Sequence, residues 1–399
     1  MALSILIAGG GTGGHLYPGI AVARELLARV PDAKVTFVGT AAGIESRVVP
    51  REGFALDVIR SAGLKGKSVQ SIARGIALLP VSAADAWTVI TRRRPSVVIG
   101  VGGYSSGPVV LLAALRGIPT LLMEQNAMPG ITNRLLSPVV DAAAVTYHES
   151  VKFFGEKAIV AGNPVRPEFY QEPVPRQGIR EPVPPHGIRE PLSPQEIREP
   201  LSPQVIQEEG AHGIQHSPPG AARVLVFGGS QGAHAINMAM VEAAARLAAG
   251  TPRVAVTHQT GERDLEMVRD GYRRAGLEAR VEPFLFEMDR EMKAADLVIC
   301  RAGATTLAEL TASGRPSILV PLPTATDDHQ RRNAIALEKQ GAARLVEQRE
   351  ISGDRLAAEI QSLAGDEPLR RRMGEAARRM ARPDAARVIV DRVLVLAGR

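Results

Sequence analysis

Short apolar runs recur along this chain, each ending in glycines or a polar cluster before a longer stretch of helical character. In the first half they are ILIAGG, KVTFVGT, FALDVI, SVVIGVGG, TLLMEQN, AAAVTY and AIVAGNP, between residues 5 and 164. Such alternation predicts right-handed βαβ units and a parallel sheet. Residues 221–350 repeat the pattern with RVLVFGGSQG, RVAVTHQTG, ARVEPFL, DLVICRAG, SILVPLP and AARLVEQ. The chain therefore reads as α/β, with two Rossmann-like doubly wound parallel-sheet domains, 1–166 and 221–365, facing a cleft.

A different pattern fills 167–220. A nine-residue unit repeats as IREPVPPHG, IREPLSPQE and IREPLSPQV from position 179. Proline in every unit blocks helix and sheet interiors, and the apolar content is too low to offset the ordering entropy. The stretch, densest at 171–219, is expected to be a flexible, partly polyproline linker or insertion. The last stretch, 366–399, has a basic helical pattern broken at Pro383, and is expected to pack back on the body.

Composition narrows the class. With 399 residues, 45% hydrophobic and 23% charged, the chain suits two soluble domains of ordinary size. It has no run of eighteen apolar residues, so no transmembrane helix is expected. The N-terminus enters a strand without a basic leader, which points to the cytoplasm. The single cysteine, Cys300, lies in a strand-like run and is expected to be buried and inert. A net charge of +6 and a pI near 9.7 invite phosphorylated ligands, nucleic acid or anionic lipid. Nucleic acid is disfavoured, because aromatics are only 4% and offer few stacking platforms.

The glycine turns carry the candidate chemistry. Gly9, Gly11 and Gly14 form a G-x-G-x-x-G between a strand and a helix, suited to close approach of backbone amides to a diphosphate. A dinucleotide site also needs an acid at the end of the second strand, and here that strand ends FVGTAAG. Phosphate or sugar-phosphate binding is the reading left. His15 follows the last glycine; it is either a general base or a histidine satisfied by a neighbouring carbonyl, and the residues alone leave both open. GGSQG in the second half repeats the turn with Ser230 as an added donor, and RAGATTLAEL places Glu309 one turn into a helix. Tyr104, Glu124, Gln125 and Asn126 end two successive strands, where open parallel sheets bind ligands. Arg166, in GNPVRPEF, is a candidate anion partner beside a hinge. Asp327, Asp328 and His329 are adjacent, and three consecutive side chains do not converge on one ion in a helix or extended strand, so no metal site is predicted.

Taken in order, GGGTGGHLYPG, GGYSSGP, EQN, GNPVR, GGSQGA, RAGATTLAE and DDHQRRNA resemble the MurG family of GT-B glycosyltransferases. The resemblance covers nearly the whole chain outside 171–219. It implies transfer of N-acetylglucosamine, with inversion, from its UDP donor to the C4 hydroxyl of the N-acetylmuramoyl unit of lipid I, giving lipid II for peptidoglycan. It implies Thr12, Gly13, Gly14 and Asn126 as first-domain donor contacts, and Arg166 and Ser230 as diphosphate partners. It further implies Glu309 as the ribose partner, the Leu285 backbone at the uracil, and Gln330 on the sugar hydroxyls. His15 matches the candidate base and Tyr104 an acceptor-side residue. Two positions depart from the family: Met123 stands where members commonly have histidine, and Ala302 where they often have serine. No cofactor is implied, with Mg²⁺ at most stimulatory. The lipid acceptor implies an anionic membrane surface as a partner and peripheral attachment at the cytoplasmic face of the bacterial cell membrane. Residues 63–95, with Ile72, Ile76, Leu79, Trp87, Lys65, Lys67 and Arg92 to Arg94, supply an apolar stretch ringed by cations. Three other readings remain: a GT-B glycosyltransferase with another acceptor, a UDP-sugar epimerase, and a non-catalytic UDP-sugar binder.

Overall fold

A computed structural model describes residues 3–61, 78–170, 221–229, 232–325 and 328–398. The Pro-rich repeats, Lys65, Lys67, Ile72, Ile76, Ser230 and Asp327 lie outside the described residues.

The first sheet holds β1 (Ser4–Gly9), β2 (Lys34–Gly39), β3 (Ala55–Val58), β4 (Val97–Gly102), β5 (Thr120–Glu124), β6 (Ala142–Val145) and β7 (Ala158–Val160). Their order is β3-β2-β1-β4-β5-β6-β7, with every pairing parallel. Between them run α1 (Gly13–Arg29), α2 (Glu45–Arg51), α3 (Leu79–Arg93), α4 (Ser106–Leu115) and α5 (Ile131–Leu136). β1 shows why its run is apolar throughout: Leu3, Ile5 and Ile7 enter one core and Leu6 and Ala8 the other, because helices cover both faces.

The second sheet repeats the plan with β8 (Ala222–Phe227), β9 (Val254–Gln259), β10 (Ala279–Glu282), β11 (Leu297–Cys300), β12 (Ser317–Leu319) and β13 (Ala343–Leu345), ordered β10-β9-β8-β11-β12-β13. Its helices are α6 (His234–Ala249), α7 (Leu265–Ala275), α8 (Met288–Ala294), α9 (Ala304–Ser313), α10 (His329–Lys339), α11 (Gly353–Gly365), α12 (Glu367–Arg379) and α13 (Ala385–Leu396). In each sheet strand order reverses beside the first strand, and the glycine turns leave that switch point. Two doubly wound parallel α/β units are thus what the alternation of runs predicts.

The C-terminal stretch divides between the two halves. Met373, Ala376 and Ala377 of α12 join the second-sheet cores, whereas Ile389, Val390 and Val393 of α13 bury beside Leu3, Ile5 and Leu26 in the first. Cys300 is fully buried, and burial pushes its thiol well up.

Two features alter the sequence picture. Arg92 and Arg93 do not stand free as a cationic rim: both pair with Asp57 of β3, at 2.8 and 2.7 Å. The apolar surface is also broader than one helix. Trp87, Leu115 and Leu135, from α3, α4 and α5, are 53%, 71% and 71% exposed, and the Arg116 guanidinium lies 4.5 Å from the Trp87 ring centre.

A buried polar chain organises the second domain. His258 Nε2 bonds Asn237 Oδ1 at 3.0 Å while its Nδ1 bonds the Tyr272 hydroxyl at 2.7 Å, and Asn237 Nδ2 donates to Asp264. Complete burial pushes the His258 imidazole down to about 3. Between that value and the unfolded value of about 6.5, the unfolded chain binds a proton that the folded one does not, so stability falls as pH drops through this window, by about 1.4 kcal/mol per unit. Urea melts from pH 7 to pH 4 are expected to show a shallower acid loss in His258→Gln than in the native chain; equal slopes would assign the loss to other groups.

Candidate active site

The first glycine turn is held from three sides. Gly9, Gly10 and Gly11 have φ of 143°, 144° and 83°, open to glycine and strained for other residues. A Cβ on Gly9 would lie 2.2 Å from the Gly102 carbonyl, and the Gly10 N–H donates to that same oxygen at 3.2 Å. The turns after β1 and β4 therefore interlock. The Gly11 N–H turns inward to Glu45 Oε2 at 2.7 Å, so two amides of the motif are spent inside the protein. Thr12 is the N-cap of α1 with no side-chain cap bond, and the first amides of α1 have no intrahelical acceptor. The amides of the motif left open are thereby narrowed to Thr12, Gly13 and Gly14.

His15 projects from this helix start. Its Nδ1 lies 3.1 Å from Gln125 Oε1, and Gln125 Nε2 donates to the Val101 carbonyl at 3.2 Å. That second bond orients the amide so that an acceptor faces the imidazole. Nδ1 then carries the proton and donates, leaving Nε2 with its lone pair as an acceptor. The ring lies flat against Gly102, where a Cβ would stand 2.7 Å from Nδ1.

The neighbouring strand end is anchored by buried Glu124, which accepts from the Asn126 N–H at 2.9 Å, the Gly130 N–H at 3.0 Å and Asn133 Nδ2 at 2.9 Å. Asn126 Nδ2 also donates to it at 3.3 Å, so the amide oxygen of Asn126 is the end left for a ligand. Tyr104 sits on the rim, 51% exposed.

The second domain meets this edge directly. Thr305 Oγ1, in the first turn of α9, donates to the Gly14 carbonyl at 2.7 Å and accepts from Asn163 Nδ2 at 3.2 Å. One turn on, Glu309 is buried, and desolvation pushes its carboxyl up to about 7 against the opposing pull of Arg166. The Arg166 guanidinium stacks 4.5 Å from the Tyr17 ring centre and lies 3.6 Å from Glu52, with its buried Nε unpartnered among the described residues. Leu285 is less free than the sequence implies: its N–H donates to Gln259 Oε1 at 2.9 Å, and only its carbonyl is left for a base. Gln259 Nε2 in turn donates to the Gly229 carbonyl at 2.9 Å, tying this loop to the second glycine turn. Beside Leu285, Phe286 carries the Arg51 guanidinium 4.1 Å from its ring centre, a contact across the two domains. Gln330 Oε1 accepts from the Leu322 N–H at 3.0 Å, which leaves its Nε2 as the donor end.

The structure thus gathers Thr12, Gly13, Gly14, His15, Arg166 and Glu309 at one interdomain edge. Glu45, Gln259 and Thr305 are absent from the sequence reading. Thr305 lies within RAGATTLAEL but is not singled out there, and no motif marks Glu45 or Gln259, because the partners of all three are brought close only by the fold.

Comparisons with known proteins agree over the full length. The family model described as Glycosyltransferase family 28 N-terminal domain matches residues 5–145, and the Glycosyltransferase family 28 C-terminal domain matches 223–389. A protein of Pelobacter propionicus named UDP-N-acetylglucosamine–N-acetylmuramyl-(pentapeptide) pyrophosphoryl-undecaprenol N-acetylglucosamine transferase is 48% identical, covering 98% of this chain and 99% of its own. One of the same name from Myxococcus xanthus is 42% identical over 98% of this chain and 92% of its own. The crystal structure of Acinetobacter baumannii MurG superposes with a TM-score of 0.66 at 27% identity, covering 98% of this chain and 99% of that one. The chain accordingly belongs to the MurG family of glycosyltransferases, built from the two domains of glycosyltransferase family 28.

Proposed function

We propose that this chain transfers N-acetylglucosamine from UDP-N-acetylglucosamine to the C4 hydroxyl of the N-acetylmuramoyl unit of lipid I, forming lipid II with inversion at the anomeric carbon. The observation that carries the reading is His15, whose Nε2 is left as an acceptor by the Gln125 bond at the interdomain edge. The imidazole takes the proton of the attacking hydroxyl as its oxygen bonds to the anomeric carbon, and the bond from that carbon to the diphosphate oxygen breaks on the opposite face. Charge arriving on UDP is met by the start of α9, Arg166 and the Ser230 turn, while Glu309 accepts the ribose hydroxyls. These donors replace the charge neutralisation a divalent ion gives elsewhere, so transfer needs no metal. The test is UDP release from UDP-N-acetylglucosamine, in chelator, with and without a lipid I analogue. Release only with the analogue supports the reading. Release with any other acceptor alone, a new sugar isomer without acceptor, or an absolute need for Mg²⁺ overturns its respective part.

Glu309 makes donor binding pH-dependent. Ribose hydroxyls donate to the ionised carboxylate, so they lower a carboxyl that stands at about 7 in the free protein. Below pH 7, UDP binding is therefore expected to release close to one proton, and affinity to rise with pH toward neutrality. Calorimetric titrations at pH 6 in buffers of different ionisation heat measure this; Glu309→Gln is expected to abolish the release.

Attachment to the membrane is the second part of the proposal. Among the described residues no helix is long and apolar enough to span a bilayer. Leu79, Trp87, Leu111, Leu115 and Leu135 are exposed on α3, α4 and α5 of the first domain, and Arg116 lies against the Trp87 ring. Such a surface seats in the headgroup layer of an anionic leaflet. Trp87→Glu with Leu115→Glu is expected to move the protein from floating anionic liposomes to the soluble fraction; an unchanged flotation assigns attachment to another surface.

A further inference from the structure

The most deeply enclosed acid beside the catalytic turn is Glu45, the first residue of α2, at 1% exposure. Its carboxylate donates nothing and accepts from three groups: the Gly11 N–H at 2.7 Å, the Thr40 N–H at 2.7 Å and the Thr40 hydroxyl at 2.9 Å. The backbone is shaped around it. A Cβ on Gly10, Gly39 or Gly43 would lie 2.6, 2.3 or 2.1 Å from Glu45 side-chain atoms. Among the described residues no cation pairs with it, so its desolvation is offset by those three bonds alone.

That arrangement is costly for simple packing, since an apolar side chain of similar volume fills a core without desolvating a charge. It has a distinct effect on the turn. With Gly10 N–H on Gly102 O and Gly11 N–H on Glu45, the loop cannot fold its early amides around an anion, as a dinucleotide cradle does. Only the amides from Thr12 onward remain in front, immediately before His15. A carboxylate behind the turn also repels a phosphate placed at Gly10 or Gly11, moving an anionic ligand toward the α1 N-terminus.

We propose that Glu45 is the positioning residue of the transfer step: it holds the Gly9–Gly14 turn so that the Thr12–Gly14 amides face the donor sugar with His15 beside them. This assignment rests on the transferase reading of the site. Glu45 touches no substrate and acts through the turn.

Glu45→Gln keeps the volume but has one acceptor oxygen where the carboxylate has two, so an amide N–H must face either Gly11 N–H or Thr40 N–H. The expected result is a rise in KM for UDP-N-acetylglucosamine of tenfold or more and a fall in kcat, with the Kd for UDP within twofold of the native value and a native circular dichroism spectrum. Thr40→Val, which removes one hydroxyl donor only, is expected to move the donor KM in the same direction by a few fold; it carries the test if Glu45→Gln does not fold. A uniform loss of active enzyme with both KM values unchanged, in whichever of the two variants folds, overturns the assignment and makes Glu45 a scaffold residue. Failure of the native chain to release UDP with the lipid I analogue overturns the transferase reading instead, a result independent of either variant.

Discussion

His15→Ala is expected to lower kcat by about two to four orders of magnitude, the range over which a positioned general base contributes. The Kd for UDP is expected to stay close to native, because the imidazole bonds Gln125 within the first domain and the groups assigned to the nucleotide belong mainly to the second. The size of the loss follows from geometry. Gln125 spends its amide N–H on Val101 O and turns Oε1 to Nδ1, which leaves Nε2 as the acceptor proposed to take the proton. Gln125→Glu supplies a check that alanine cannot. A carboxylate in the same place stabilises the imidazolium, so the acid limb of the kcat/KM profile is expected to move to higher pH. A merely structural Gln125 leaves that limb in place. If His15→Ala retains a kcat within a few fold of native, the base lies elsewhere and the proposed mechanism falls.

The second large effect is expected from a single methyl group at Gly102. This residue sits at φ 96°, and its missing side chain is the space in which the His15 ring lies, 2.7 Å from Nδ1 and 2.9 Å from Cε1. Gly102→Ala forces either the imidazole out or the β4 end away from β1, where Gly102 O accepts the Gly10 N–H. Backbone strain at such a φ costs on the order of 1–3 kcal/mol. Activity is expected to fall about as far as in His15→Ala, since both variants remove the base from its place, one by deletion and one by displacement. Kinetics on the two single variants and the double variant decide this: if displacement is the cause, the double variant is no worse than either single one. Multiplying losses would place Gly102 in a separate role.

Part of this site is legible along the chain because it depends on local chemistry. A turn that needs positive φ needs glycine, so GGGTGG, GGYSSG and GGSQG declare their turns. Strands covered on both faces need continuous apolar runs, so ILIAG and VLVF declare a parallel sheet. His15 is visible because it follows directly on such a turn. Gln125, in EQN at a strand end, is visible as a candidate by position, but its bond to His15 spans the switch point and is not.

Where partners are distant, the sequence is silent. The absence of an acid at the end of β2 argues against a ribose ligand there, yet an acid does serve the turn: Glu45 arrives six residues later and faces inward. Arg92 and Arg93 look like free surface cations until Asp57 is brought beside them. Leu285 looks available at its N–H until Gln259, itself fixed on Gly229, reaches it.

By itself, then, the sequence determined the two doubly wound domains, their glycine turns and the family, because each follows from backbone permission and the period of apolar positions within a few residues. Only the tertiary structure decided which amides of the first turn remain open, which nitrogen of His15 faces Gln125 and which helix of the second domain closes on Gly14. Those properties belong to hydrogen bonds between groups far apart in the chain, and a buried donor or acceptor takes whichever partner the packed fold presents.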